Sequence, residues 1–576
     1  MNCIEIDLET RSDRDITKCG VYAYADSPYF AITLMSISVD GGEVQQYDFT
    51  AGDTVPEDIL RALVDETVIK RAHNVNFERI CLSKYLRDNY PHIFRSYSIP
   101  EDTVGDYLSP RGWHCTMIHC RTLALPSTLA DAGAALKLEQ QKMPEGKALI
   151  KYFCVPYAVV IDGVPQFHAP SDAPEKWEIF KTYNRQDVVA ELAIDERLSR
   201  YPVPAAVWEE FYLDQEINDR GIAVDTALAD AALRIDAQAK ATLSEKMSRL
   251  TGVENPNSVY QLLNWLEQQG YPSDSLSKKE VAALIKTAKE PVRTVLELRQ
   301  QLSKSSVKKY TAMKAAVCSD GRVRGMFSFY GASRTGRQSS KIVQLQNLPQ
   351  NHIPDLAVAR DTVKYGSYED AEMLYGNVPD LLSQLIRTAF VSRPGFKFVV
   401  ADFSAIECRV LAWLAGEQWV LDTFANNGDI YCATASRMFH CKVEKHGENA
   451  ELRQKGKQAT LSCGYGGGVG ALISMGALES GMKEEELKPL VDAWRTANPN
   501  IVRLWRDLEK AAITAVSQGT VQETHGLLFS YAGGMLFITL PPAEGLLMLN
   551  PRSGAVSSAE SVSHTWAEYR QEVGQA

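Results

Sequence analysis

Apolar and charged residues alternate strictly at the start of the chain. In CIEIDLE, Ile4, Ile6 and Leu8 fall on one side and Glu5, Asp7 and Glu9 on the other, the period of two that marks a β-strand. The run FAITLMSISV at 30–39 predicts a second strand. Helical periodicity follows in TLADAGAALKLEQ at 128–140 and NRQDVVAELAIDERLSRY at 184–201, so residues 1–204 read as mixed α/β. The proline-rich YPVPAAVW from Tyr201 predicts a boundary. Helical patterns then dominate to about residue 320, including one continuous stretch over 290–317. Beyond it the pattern is mixed again. A helix is predicted over 502–519, then a hairpin over 524–541 with Gly533 and Gly534 in its turn.

One junction stands out. In VVADFSAIECRVLAWLAG, at 399–416, an apolar run stops at Asp402 and a helical pattern starts at once, with Ile406, Val410, Leu411 and Leu414 on one face. This predicts a buried strand ending on a carboxylate, with Glu407 and Arg409 just beyond.

Composition narrows the class. With 576 residues, 45% hydrophobic and 23% charged, the chain is expected to form several globular domains. The net charge of −11 argues weakly against nucleic acid, but basic groups can gather in one groove of an acidic protein. No apolar stretch approaches a membrane span and the amino terminus lacks signal-peptide features, so a cytoplasmic location without membrane contact is expected. Eleven scattered cysteines fit reduced thiols. WHCTMIHC gathers His114, Cys115, His119 and Cys120, but residues five apart on a helix diverge, so a packed helix is expected rather than zinc.

Glu5, Asp7 and Glu9 share a strand face, where like charges repel. Either the face is solvated on an edge strand, or a divalent cation lies between two of the acids. Two further segments bear on the choice: HNVNFE carries Asn74 and Glu78, and YNRQD sets Tyr183 one turn before Asp187. With D-x-E these resemble the three motifs of the proofreading 3′–5′ exonuclease family with four acidic residues. That resemblance implies a ribonuclease H-like α/β domain in which Asp7, Glu9, Glu78 and Asp187 are catalytic. They would bind two Mg²⁺ or Mn²⁺ ions, Asp7, Glu9 and Asp187 being the metal ligands that match, while Tyr183 orients the attacking water. Glu78 stands where the family has aspartate, and its extra methylene moves the carboxylate by about 1.5 Å unless something compensates.

The junction DFSAIECR resembles the first metal-binding motif of the bacterial DNA polymerase I family (family A), D-[YF]-S-x-I-E-x-R, and the following LAWLAGE and GDIYCATASRMF match as well. The resemblance implies a right-hand α+β polymerase of thumb, palm and fingers. In it Asp402 and the Phe403 carbonyl ligate two Mg²⁺ or Mn²⁺ ions, Glu407 excludes a 2′-hydroxyl and Arg409 braces the site. Arg453, Lys457, Leu461 and Tyr465 recur every four residues in LRQKGKQATLSCGYGGG and match the fingers helix. Arg453 and Lys457 would grip the triphosphate of an incoming deoxynucleotide, and Tyr465 would sit near the templating base. Leu461 replaces the usual aromatic ring, a feature associated with a phage-type branch. GYGGGVG lacks the GK[ST] ending of a phosphate-binding P-loop. Arg337, Gln346 and Asn347 match residues that read the minor groove of primer–template DNA. Lys304, Lys308 and Lys309, placed on or near one helix face, would contact phosphates.

One expected part is missing. The family's His-Asp-Glu hairpin has no counterpart, because no histidine is followed by aspartate and no aspartate follows Asp507. Resemblance stops near Pro541 and Pro542, which leads to the expectation of a frameshifted or truncated chain, weak or inactive in synthesis. The expected organisation is an exonuclease-like domain at 1–204, a thumb-like region at 205–320, the first part of the palm at 321–425, fingers at 426–526, and an incomplete palm hairpin with a divergent tail at 527–576. The expected function is DNA-directed DNA synthesis in replication with 3′–5′ exonuclease, in a host cytoplasm if phage- or prophage-encoded. A stand-alone exonuclease and a non-catalytic primer–template binder are the alternatives.

Overall fold

The structure is a computed structural model. It describes residues 1–97, 107–140, 142–159, 163–332, 335–478, 480–540 and 545–549, so Pro541 and Pro542 lie outside the described residues. The chain forms two compact units, residues 1–121 with 126–398, and residues 122–125 with those from 399 on.

The first unit opens with a five-stranded sheet: β1 (Cys3–Arg11), β2 (Ala31–Val39), β3 (Gln45–Asp48), β4 (Ile69–Ala72) and β5 (Trp113–Cys115), in the order β3-β2-β1-β4-β5. β1 runs antiparallel to β2 and parallel to β4, and β4 is parallel to β5. β1 is therefore the central strand, which overturns the solvated edge-strand reading. Helices α1 (Ile16–Ala25), α2 (Glu57–Val64), α3 (Asn76–Asn89), α4 (Thr116–Thr122), α5 (Leu129–Ala135), α6 (Gly146–Phe153) and α7 (Pro174–Leu198) accompany it, with a short ribbon of β6 (Ala158–Val159) and β7 (Pro165–Gln166). Ile4, Ile6 and Leu8 pack with Ile59, Leu60 and Leu63 of α2 and Leu82 and Leu86 of α3. Leu34, opposite Glu9, packs with Trp177, Phe180 and Tyr183 of α7. The register slips at Glu9, where Leu34 pairs but Ile32 already faces Thr10. The extra residue, Thr33, donates its hydroxyl to the Glu9 carbonyl at 3.0 Å. This bulge turns the strand beside the acids.

WHCTMIHC is a strand followed by a helix, not one helix. His114 stacks on Trp208 at 4.3 Å, His119 bonds the Tyr201 carbonyl at 2.7 Å, and Cys115 and Cys120 are buried. Each side chain is used in packing, and no zinc-like group forms among the described residues.

Six helices follow: α8 (Ala205–Arg220), α9 (Thr226–Thr251), α10 (Val259–Gln268), α11 (Lys278–Thr287), α12 (Val292–Leu302) and α13 (Lys308–Ala316). α9 is capped by Asp225 and ends at Gly252, whose φ of 70° is the left-handed stop. Its far half carries α10–α12 through Met247, Leu262, Leu266 and Leu296. The helix predicted over 290–317 is broken at 303–307, where serines favour local backbone bonds over helix. Lys304 therefore does not share a helix face with Lys308 and Lys309. The unit is completed by β8 (Ile222–Val224), β9 (Arg322–Val323), the ribbon β10 (Phe327–Ala332) and β11 (Arg337–Ser340), α14 (Leu356–Tyr365), α15 (Tyr368–Tyr375), α16 (Val378–Leu385) and β12 (Phe390–Val391).

The second unit holds α17 (Ile406–Ala415), α18 (Gln418–Ala425), α19 (Ile430–Phe439), α20 (Leu452–Cys463), α21 (Val469–Ser474), α22 (Glu484–Ala497) and α23 (Pro499–Gln518). A sheet of β13 (Gln522–Thr524), β14 (Leu527–Ala532), β15 (Met535–Leu540) and β16 (Gly545–Leu549) follows in sequential order. Gly533 and Gly534, both at positive φ, turn β14 into β15 with Ala532 opposite Met535, as the sequence predicts. The buried strand expected before Asp402 is absent. Residues 396–403 carry no strand hydrogen bonds, and Phe398, Val399 and Val400 are 54%, 86% and 90% exposed. β-rich residues do not make a strand without a neighbour to pair with, and none of the described residues pairs here. The apolar face expected of α17 is likewise open at Ile406 and Val410.

Within the first unit, α3 is fastened to α8 by a fully buried ion pair. Arg79 donates to both carboxylate oxygens of Asp219 at 2.7 and 2.9 Å, and Tyr22 and Tyr97 donate to the same carboxylate at 2.5 Å. Removing one partner strands the other charge in the interior, at a cost of about 3–5 kcal/mol. Asp219→Ala is therefore expected to lower the denaturation midpoint of the first unit sharply, as followed by tryptophan fluorescence in urea. A shift within error would show that the pair is not holding the two helices.

Candidate functional site

Three elements bring the amino-terminal acids together. β1 supplies Asp7 and Glu9, α3 supplies Glu78 in its first turn, and α7 supplies Tyr183 and Asp187. Glu9, Glu78 and Asp187 are buried at 6%, 4% and 4% exposure. Burial, then the neighbouring Asp187, pushes the Asp7 carboxyl up to about 8. Burial, then Asp7, raises Glu9 and Glu78 well above the usual range, and burial raises Asp187. Asp7, Glu9 and Glu78 thus each feel other acids of the set. Lys142, in the loop between α5 and α6, forms an ion pair with Asp187 and lies 4.8 Å from the centre of the Tyr183 ring. Tyr183 stacks on Phe180, and Gly146 approaches its ring so closely that a Cβ there would come within 2.3 Å.

The sequence reading missed three members of this site. Asn184, fully buried, donates to the Asp7 carboxylate at 2.6 Å and to the Asp7 carbonyl at 3.1 Å. Its own oxygen accepts from Ser36 at 2.5 Å and Gln46 at 3.1 Å, which fixes the amide. Glu191 lies one turn beyond Asp187, buried, and accepts from Thr116. Lys142 is the third. Asn184 directly follows Tyr183, so its place on the motif helix was the available signal; Lys142 carries no local signal.

The donors suit a divalent cation in kind: hard carboxylate oxygens, buried, with Glu78 Oε2 and Asp187 Oδ1 left without a hydrogen-bond partner. Among the described residues, no group of three or more His, Cys, Asp or Glu side chains is arranged to hold a metal ion.

In the second unit, α20 turns one face to solvent and the other to the core. Arg453, Lys457 and Leu461 lie on the open side, and Gly456, Ala459 and Cys463 on the buried side. Tyr465 is also exposed but lies past the helix end, beyond Gly464. α19 passes so close that a Cβ on Gly456 would meet the Tyr431 carbonyl at 2.3 Å. Asp429 caps α19 and accepts from Arg453 at 2.8–2.9 Å, a pairing the sequence reading did not anticipate. Arg409 braces Ser404 through its backbone carbonyl at 2.9 Å and lies 3.9 Å over Phe424. Asp402, Phe403 and Glu407 are exposed, and no group of three metal-ligating side chains forms around Asp402 among the described residues.

The expected DNA-contact residues divide. Arg337 on β11 and Gln346 and Asn347 in the turn at Leu345–Asn347 are exposed. Lys308 is exposed, but Lys304 pairs with Asp380 and Lys309 donates to the Val343 carbonyl at 2.6 Å.

A sequence profile of DNA polymerase family A matches residues 227–526. The DNA polymerase of Bacillus phage SP02 is 47% identical over 555 residues, 96% of this chain and 83% of that protein. The chain belongs to DNA polymerase family A. It falls in the phage branch and is a DNA-directed DNA polymerase by descent. DNA polymerase I of Chloroflexus aurantiacus is 31% identical over 183 residues, 32% of this polymerase and 16% of that protein. In fold, the polymerase resembles the POL domain of Pol1 from M. smegmatis, solved in complex with DNA primer-template and dNTP, with a TM-score of 0.58 at 17% identity over 99% of this chain and 82% of that one. No helix among the described residues is long and apolar enough to cross a membrane.

The raised Asp7 carboxyl has a pH consequence. In the folded, metal-free polymerase Asp7 holds its proton up to about 8, whereas the unfolded chain loses it near the ordinary carboxyl value. The folded state binds more protons between the two, so stability is lost as pH rises from about 4 towards 8. In EDTA the melting temperature of the first unit should fall over that window, and Asp7→Asn should flatten the slope. A melting temperature that climbs with pH there would contradict the buried cluster.

Proposed function

We propose that this family A polymerase pairs template-directed DNA synthesis with a 3′–5′ exonuclease in residues 1–204, and that primer–template DNA and deoxynucleoside triphosphates are its partners. The sheet order β3-β2-β1-β4-β5, with acids on the central strand, supports the reading of a ribonuclease H-like nuclease domain. The observation that carries the nuclease reading is the convergence of half-buried Asp7 with buried Glu9, Glu78 and Asp187, with two orphaned oxygens among them. These four would hold two Mg²⁺ or Mn²⁺ ions, whose chemistry is to generate hydroxide and steady the leaving oxygen of a phosphodiester. The chain's own contribution is positional. Asn184 fixes the Asp7 carboxylate, and Tyr183, held by Phe180 and Gly146, presents its hydroxyl beside Asp187 to orient water.

For synthesis, residues 205–320 act as thumb, 321–425 as the first part of the palm, 426–526 as fingers, and 527–576 as a palm hairpin and tail. Arg453 and Lys457 offer a guanidinium fork and a point charge to a triphosphate. Asp429 keeps Arg453 in place until phosphate competes for it. Leu461 offers an aliphatic face to the base, and Glu407 excludes a 2′-hydroxyl. Arg337, Gln346 and Asn347 read minor-groove acceptors that every base pair presents. Because these 576 residues contain no His-Asp pair and Asp402 lies in an unpaired, exposed segment, synthesis by this chain alone is expected to be weak or absent. That same exposure favours a second reading, in which the chain acts chiefly as an exonuclease.

A primer-extension assay with Mg²⁺ and all four deoxynucleotides tests both readings. Shortening of the primer that Asp7→Ala abolishes supports the nuclease. Any lengthening should be slight and lost in Asp402→Ala; strong extension would refute the weak-synthesis reading. An unchanged primer with a gel shift would refute both activities and leave a binder.

A further inference from the structure

The carboxylate pocket already holds a cation of its own. Lys142 pairs with Asp187 Oδ2, and its charge favours the ionised forms of Asp7, Glu9 and Asp187 together. Its side chain is 32% exposed, whereas that of Asp187, with which it pairs, is 4% exposed. It comes from the loop between α5 and α6 rather than from a helix or strand. Asp187 is thereby divided. One oxygen is taken by the ammonium, and the other, Oδ1, is buried without a partner, as is Glu78 Oε2.

We propose that Lys142 is a displaceable counter-ion occupying one of the two cation positions of the nuclease pocket, so that the second divalent ion binds only by driving the ammonium off Asp187. The proposal rests on the two-metal nuclease reading. An ammonium and a divalent ion on the same carboxylate repel strongly in a poorly solvated pocket, so both cannot stay. The first ion is drawn to the carboxylate oxygens that the lysine does not occupy. The second must replace a charge already in place. The pocket therefore loads in two steps, and the lysine sets the concentration at which the second occurs. It also shields the acids from one another when metal is scarce.

The test is Mn²⁺ binding by the full chain, followed by the loss of the free-ion electron paramagnetic resonance signal, beside melting in EDTA. The wild type should bind two Mn²⁺ ions with separated affinities. Lys142→Met should tighten the weaker site by about tenfold or more and lower the melting temperature in EDTA. Lys142→Arg, which keeps the charge, should behave like the wild type, and Lys142→Gln should follow Met if Met impairs folding. Mn²⁺ binding that is unchanged or weakened when the lysine is neutralised overturns the proposal and leaves the nuclease reading standing. A chain that binds no Mn²⁺ with or without Lys142 overturns both.

Discussion

Mutual repulsion among buried carboxylates is the constraint around which the first unit is built. Asp7 and Glu9 leave the same face of a strand that has neighbours on both sides, and Glu78, Asp187 and Glu191 are brought against them from two helices. Burying ionised acids without compensation costs several kcal/mol each, so they hold protons, pair with a lysine or gather metal. The structure displays the first two: the Asp7 carboxyl is pushed up to about 8, and Lys142 pairs with Asp187. The third is the role we propose for them. A folded state that tolerates this repulsion must be held elsewhere, and the Ile4–Ile6–Leu8 core with the Arg79–Asp219 clamp supplies that hold.

The second unit obeys a different rule. Its candidate nucleotide-binding residues are half-buried or exposed, because one face of α20 packs on α19 and the other is open. Arg453 is poised by Asp429, a neighbour that also caps α19, so helix geometry and charge placement are set by one carboxylate. Asp402 contrasts with Asp7. Both were read from sequence as carboxylates on strands, yet only Asp7 has strands beside it. A strand is a property of pairs, and the run before Asp402 has no partner among the described residues.

Periodicity alone exposed much of this. The alternation in β1, the hairpin turning at Gly533 and Gly534, and the face shared by Arg453, Lys457 and Leu461 all follow from local pattern. What failed was non-local. The edge or centre position of β1 depends on β4, encoded some 60 residues later. The break between α12 and α13 depends on serines that a hydrophobic-face count overlooks. Asn184 and Glu191 sat on a helix already singled out, whereas Lys142 could not be found, because a single lysine in a loop has no period and its meaning comes from where the fold delivers it.

The central claim is that the acids of β1, α3 and α7 form one cation-binding centre. Anomalous diffraction from crystals soaked in Mn²⁺ tests it most directly. The account predicts manganese peaks bounded by Asp7, Glu9, Glu78 and Asp187, with the Lys142 ammonium withdrawn from Asp187. Empty density at the cluster with Lys142 still in place, under conditions where the crystal admits the ion, would contradict it.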